Sequence, residues 1–64
     1  MKYRLKALRV GYGYTQKDFA ALCGITTRYL QYLENGKAKN PSIDLMKKIA
    51  ELLGTTPQEL FFEN

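Results

Sequence analysis

The run Gln16-Lys17-Asp18-Phe19-Ala20-Ala21-Leu22-Cys23-Gly24-Ile25-Thr26-Thr27-Arg28-Tyr29-Leu30-Gln31-Tyr32-Leu33-Glu34-Asn35 decides the fold. It reads as two short helices joined by only Gly24-Ile25 and a capping threonine. So short a connection forces a sharp angle between them. Where two helices cross closely a small residue is required, and Ala20 stands there. The turn requires a residue that tolerates left-handed geometry, and Gly24 stands there. Ile25 can pin the turn to a core. Leu30 and Leu33, three apart, must face inward on the second helix. One or two such matches carry little information. The whole pattern at this spacing is specific.

Outward from this run, short helical segments follow one another with tight punctuation. Helix one is predicted from about Lys2 to Val10, with Leu5 and Leu8 on one face and Gly11-Tyr12-Gly13 as its end. Helix two starts at the N-cap Thr15, with Asp18 near its positive end and Phe19, Leu22 and Cys23 as its apolar face. Helix three opens at Thr26 or Thr27 and runs to about Asn35, where Gly36 stops it. Lys37 to Asn40 reads as a basic, polar loop. Helix four follows Pro41, with Ser42 as its N-cap. Ile43, Leu45, Met46, Ile49, Leu52 and Leu53 recur there at helical spacing, and Gly54 closes it. Thr56-Pro57-Gln58-Glu59 is a capping box with proline at the first helical position. It opens a short fifth helix through about Phe61. No strand pattern and no repeat interrupts this series. The expectation is one all-α domain spanning residues 1–64 with a single core.

Composition narrows the function classes. The chain has 64 residues and a mass of 7.4 kDa. Its 45% hydrophobic content is too high for a disordered tail. No apolar run approaches the roughly 20 residues of a membrane span, and no signal-peptide core follows the basic start. A single cysteine permits no internal disulfide and fits a reducing cytoplasm. Without histidine, no His/Cys metal site can be assembled, and the residue most used for proton transfer near neutral pH is missing. An enzyme has no supporting cluster, and no cofactor is called for. Residues 1–40 hold eight basic against two acidic residues, and residues 41–64 two against four. The overall +4 is thus a basic front and a mildly acidic back. That distribution suits a binding module for an anionic partner such as nucleic acid.

At this point the chain resembles a known family, that of the phage repressors and Cro, also called the xenobiotic-response-element type. The matching residues are Tyr14-Thr15-Gln16-Lys17-Asp18-Phe19-Ala20 and Leu22-Cys23-Gly24-Ile25-Thr26. They continue with Tyr29 to Lys37, then Asn40-Pro41-Ser42, and end near Leu53-Gly54 and Glu59-Leu60-Phe61. The resemblance implies a compact five-helix, lambda-repressor-like domain whose helix-turn-helix lies at about residues 16–35. Helix three would be its recognition helix. Three features depart from the usual pattern. Gly11-Tyr12-Gly13 replaces a more polar, charged end of helix one. The loop Lys37-Ala38-Lys39-Asn40 is about one residue longer. Tyr29 and Tyr32 stand where small polar residues are commoner.

With Leu30 and Leu33 inward, Thr27, Arg28, Gln31, Tyr32 and Asn35 lie on or beside the outer face of helix three. The first part of a recognition helix meets base edges. Arg28 is the first candidate for a base contact, since its fork matches the two acceptors of guanine. Thr27 can meet a thymine methyl, and Gln31 can pair with adenine. Tyr32 either touches DNA or packs against helix two. Candidate phosphate contacts are Gln16, at the start of helix two, and Asn35, Lys37, Lys39 and Asn40, around the far end of helix three. The resemblance gives Gln16 its phosphate role. It also pairs Arg9 with Glu34 as a structural ion pair between helices one and three. Cys23 reads as an inert core thiol.

The function implied is a sequence-specific, double-stranded DNA-binding transcriptional regulator, with repression by operator occlusion as the family tendency. The alternative is an antitoxin-like or other protein-interaction module. One recognition helix covers few base pairs, so a palindromic operator bound by a weak homodimer is expected. Leu60, Phe61 and Phe62 cannot all turn toward one small core. Phe62 is therefore the candidate dimer contact, with a cap over helix one as its other reading.

Overall fold

Four side-chain hydroxyls mark where helices begin. Thr15 Oγ1 accepts from the backbone N–H of Asp18 at 3.1 Å, and Thr26 Oγ1 from that of Tyr29 at 3.0 Å. Ser42 Oγ accepts from Leu45 N–H at 3.1 Å, and Thr56 Oγ1 from Glu59 N–H at 3.2 Å. Each bond satisfies a donor that a helix's first turn would otherwise leave free. The computed structural model describes residues 4–38 and 41–62, with Phe62 described in its backbone alone. Its elements are α1 (Leu5–Gly11), α2 (Gln16–Cys23), α3 (Thr27–Glu34), α4 (Ile43–Leu52) and a fifth helix, Gln58–Phe62. No strand occurs among the described residues.

The helix ends share one device. After α2, Gly24 N–H donates to the Ala21 carbonyl and Ile25 N–H to the Ala20 carbonyl, with Gly24 at φ +74°. This paired bonding closes the last turn and requires a left-handed residue, which glycine supplies without steric cost. The same pairing closes α4, where Gly54 N–H reaches Glu51 and Thr55 N–H reaches Ala50. Gly54 is doubly constrained. Its φ is +63°, and a Cβ there would lie 2.8 Å from the Tyr12 hydroxyl.

Leu5, Phe19, Leu30, Leu33 and Ile49 are fully buried, with Ala20, Cys23, Met46, Ala50, Leu53, Leu60 and Phe61 around them. Every described helix therefore contributes to one core. Tyr14 packs its ring on Phe19 at 5.3 Å between centroids, tilted by 49°. No helix among the described residues is long and apolar enough to cross a membrane.

Several expectations are corrected. Helix one starts at Leu5 rather than Lys2: Arg4 takes the capping position, and Lys2 and Tyr3 lie outside the described residues. It continues through Gly11 because the reversal falls at Gly13, whose φ is +83°. Helix three does end as expected, at Glu34 with Asn35 as its cap and Gly36 beyond it. Leu22 is not core but 46% exposed. Phe19, Cys23 and Ala20 fill an arc of about 100° on α2, and Leu22 falls about 60° beyond its edge. Ile43 is 65% exposed, because the first turn of α4 projects past the core that its later turns cover. Tyr12 is exposed. The fifth helix is a π turn, a rare form wider than the α-helix. The adjacent Leu60 and Phe61 both bury there.

Candidate nucleic-acid interface

The core contacts of α3 fix what it shows to solvent. Leu30 and Leu33 are fully buried, which orients the helix about its axis. Arg28, Gln31, Tyr32 and Asn35 are all exposed and share an arc of about 100° on the opposite side. Thr27 sits at the edge of that arc and is half-buried. Tyr29 lies on the other flank, half-buried against the core. Lys37 is exposed just past the helix, while Lys39 and Asn40 lie outside the described residues.

Behind this surface, a buried ion pair ties α1 to α3. Arg9 Nε donates to Glu34 Oε2, and Arg9 Nη2 reaches Glu34 Oε1 at 3.4 Å. Arg9 Nη1 also donates to the Tyr14 carbonyl at 2.7 Å, which fastens the turn between α1 and α2. Both residues are 6% exposed. A pair of charges this far from water persists only when its hydrogen-bonding capacity is well used. Among the described residues, no buried side-chain nitrogen or oxygen is left without a partner.

The carboxylate holds a third group. Gln16 Nε2 donates to Glu34 Oε1 at 2.9 Å. Gln16 Oε1 in turn accepts from Gln31 Nε2 at 3.3 Å. The first residue of α2 is thereby linked both to the buried pair and to the outer face of α3. Sequence reading placed Gln16 and Gln31 in separate roles and missed this link. Neither spacing nor periodicity could reveal it, since the partners stand 18 and 15 residues apart.

Electrostatically the surface is permissive for an anion. Lys17 and Arg28 are exposed close to the α2 and α3 N-termini, where the helix dipole also favours negative charge. Among these residues the only acid in a first turn is Asp18, whose N–H is used by the Thr15 cap. The one thiol, Cys23, is buried.

The sequence matches a helix-turn-helix family over residues 5–60. An uncharacterized HTH-type transcriptional regulator of Archaeoglobus fulgidus is 36% identical over 61 residues, covering 95% of this chain and 86% of that protein. Among solved structures, the restriction-modification controller protein C.AhdI from Aeromonas hydrophila superposes with a TM-score of 0.77 at 36% identity. That match covers 91% of this chain and 86% of the other. A SinR protein/SinI protein complex gives a TM-score of 0.81 at 30% identity over 94% of this chain. This chain spans 58% of that one's length.

Proposed function

The chain belongs to the Cro/C1-type helix-turn-helix family and is a DNA-binding regulator, and from that premise we propose that residues 1–64 form a sequence-specific repressor domain acting by operator occlusion. The observation that carries this reading is the outer face of α3. Core packing on one side leaves Arg28, Gln31, Tyr32 and Asn35 together and open to solvent on the other. Such a helix laid in the major groove reads base edges with its first turns. Arg28 takes a guanine, Thr27 a thymine methyl and Gln31 an adenine, with Tyr32 a turn deeper. Gln16, Asn35, Lys37, Lys39 and Asn40 hold phosphates on either side and set the register. Bound in this way at a promoter, the domain excludes polymerase. Two copies on a palindromic site supply the information that one helix lacks.

A selection from a random duplex pool, read by sequencing, tests the proposal. The expected product is a short two-fold motif bound well above background. Affinity for any duplex should also fall steeply with salt, since each neutralised phosphate releases counterions. A pool that stays random would sink sequence-specific binding. A second reading, in which the domain docks a partner protein, draws on the solved SinR protein/SinI protein complex. A salt-insensitive interaction with no preference among duplexes would favour it.

A further inference from the structure

Both oxygens of Glu34 accept from the Arg9 guanidinium, and Oε1 accepts from Gln16 as well. Its bond from Gln16 Nε2 therefore has a direction. Gln16 must turn its NH₂ inward and its Oε1 outward. That oxygen, in turn, must receive the Gln31 NH₂. Amide ends are easily exchanged in an isolated glutamine, but here both orientations follow from one buried carboxylate. We propose that Glu34, acting through Gln16, is a positioning residue for base selection: it fixes the polarity of the Gln31 amide so that this position accepts adenine and rejects guanine. The inference rests on the reading above that Gln31 faces a base.

The chemistry follows from what Gln31 has left. One N–H of Nε2 is committed to Gln16. The second N–H and Oε1 remain for DNA. Adenine offers an acceptor at N7 and a donor at N6, the complement of that pair. Guanine offers two acceptors, and its O6 would meet Oε1 with like polarity. Released from Gln16, the amide can rotate and present both N–H bonds to those acceptors. Discrimination between the purines should then weaken, while contacts elsewhere on α3 are untouched.

Two variants test this by duplex selection and by competition between sites differing at one base pair. Gln16→Met cuts the relay and leaves Arg9 with Glu34. Arg9→Met with Glu34→Met removes the charged pair together, a replacement that buried ion pairs generally tolerate, and leaves Gln16 without its acceptor. Circular dichroism establishes that each variant is folded. In both, the adenine-over-guanine ratio at one position per half-site should fall about tenfold, the scale of one lost bidentate contact. It should be the same position that Gln31→Ala relaxes, and preferences elsewhere should stand. If Gln16→Met weakens all duplexes by one common factor, Gln16 is a phosphate contact alone and the proposal is overturned. If Gln16→Met relaxes the position but the folded double variant does not, the part given to Glu34 is overturned. Should the double variant fail to fold, Glu34→Gln, which keeps the shape but can offer Gln16 either amide end, is read in its place with the same two outcomes. A wild-type protein that selects no sequence would overturn both this inference and the function it rests on.

Discussion

Arg28 and Lys37 are both exposed cations near α3, yet they are assigned different work. A guanidinium fork within the arc of α3 can address two acceptors on a guanine edge, whereas an ammonium just past the helix end meets a phosphate as a point charge. Arg28→Ala should therefore relax the selected motif at one position per half-site and cost about 1–3 kcal/mol there. Lys37→Ala should weaken all duplexes alike and lower the salt slope by about one. An unchanged motif for Arg28→Ala would remove that residue from base reading. Cys23 gives a prediction of another kind. Burial pushes its thiol above the ordinary value of 9.0, with Lys48 pulling weakly the other way. The fold thus favours the neutral thiol. Its contribution is complete below the unfolded value and is lost as pH rises through the folded one. At pH 8, iodoacetamide should alkylate Cys23 at least about tenfold more slowly in the folded protein than in urea. Equal rates would mean that the thiol is accessible.

Single helices were readable where local chemistry alone decides them. The caps Thr15, Thr26 and Ser42 and the terminators Gly24, Gly36 and Gly54 act within a turn of themselves, so four α-helices could be placed to within a few residues. The inward pair Leu30 and Leu33 was equally plain, and it alone brings Arg28, Gln31, Tyr32 and Asn35 to one exposed arc. Legibility failed where a neighbour decides. Leu22 has the right residue type and nearly the right angle, but the width of the α2 stripe is set by what packs on it. The capping box announces the start of the fifth helix but does not encode its π winding or that both Leu60 and Phe61 enter the core. Gln16 meets Glu34 and Gln31 only because α2 and α3 cross. Leu33→Ala probes this level directly. Leaving a cavity at a fully buried site should cost about 2–5 kcal/mol, a large part of what so small a domain has. Chemical denaturation followed by circular dichroism should show it without DNA present. A near-wild-type midpoint would put Leu33 on the wrong face.

The described residues span 26 × 22 × 19 Å between Cα positions. Half-sites one helical turn apart place two recognition helices at about 34 Å. Copies of this size on such a site reach one another only through side chains at their facing ends. On the proposed two-fold arrangement the contact between two such domains would be small, which suits a weak dimer completed on DNA. Phe62, whose side chain lies outside the described residues, keeps the role assigned to it from sequence as a proposal. Sedimentation of wild type and Phe62→Ala, from micromolar to near-millimolar concentration, should show association in the first alone. Cooperative binding to a palindromic duplex should weaken in the variant. Monomers throughout, with no cooperativity in either, would dispose of the dimer.

The proposed reading edge of this domain is fastened at three points before DNA arrives: Thr26 caps the start of α3, Gly24 locks the turn, and Gln16 links Gln31 to the buried Arg9–Glu34 pair. Little remains to be ordered on encounter. The approach is steered by a basic surface that cannot tell one duplex from another, so arrival should be fast and nearly indifferent to sequence. Choice between a right and a wrong site is then expressed in residence time. On the proposed function, a mismatched duplex should be met as often as the operator and simply left sooner.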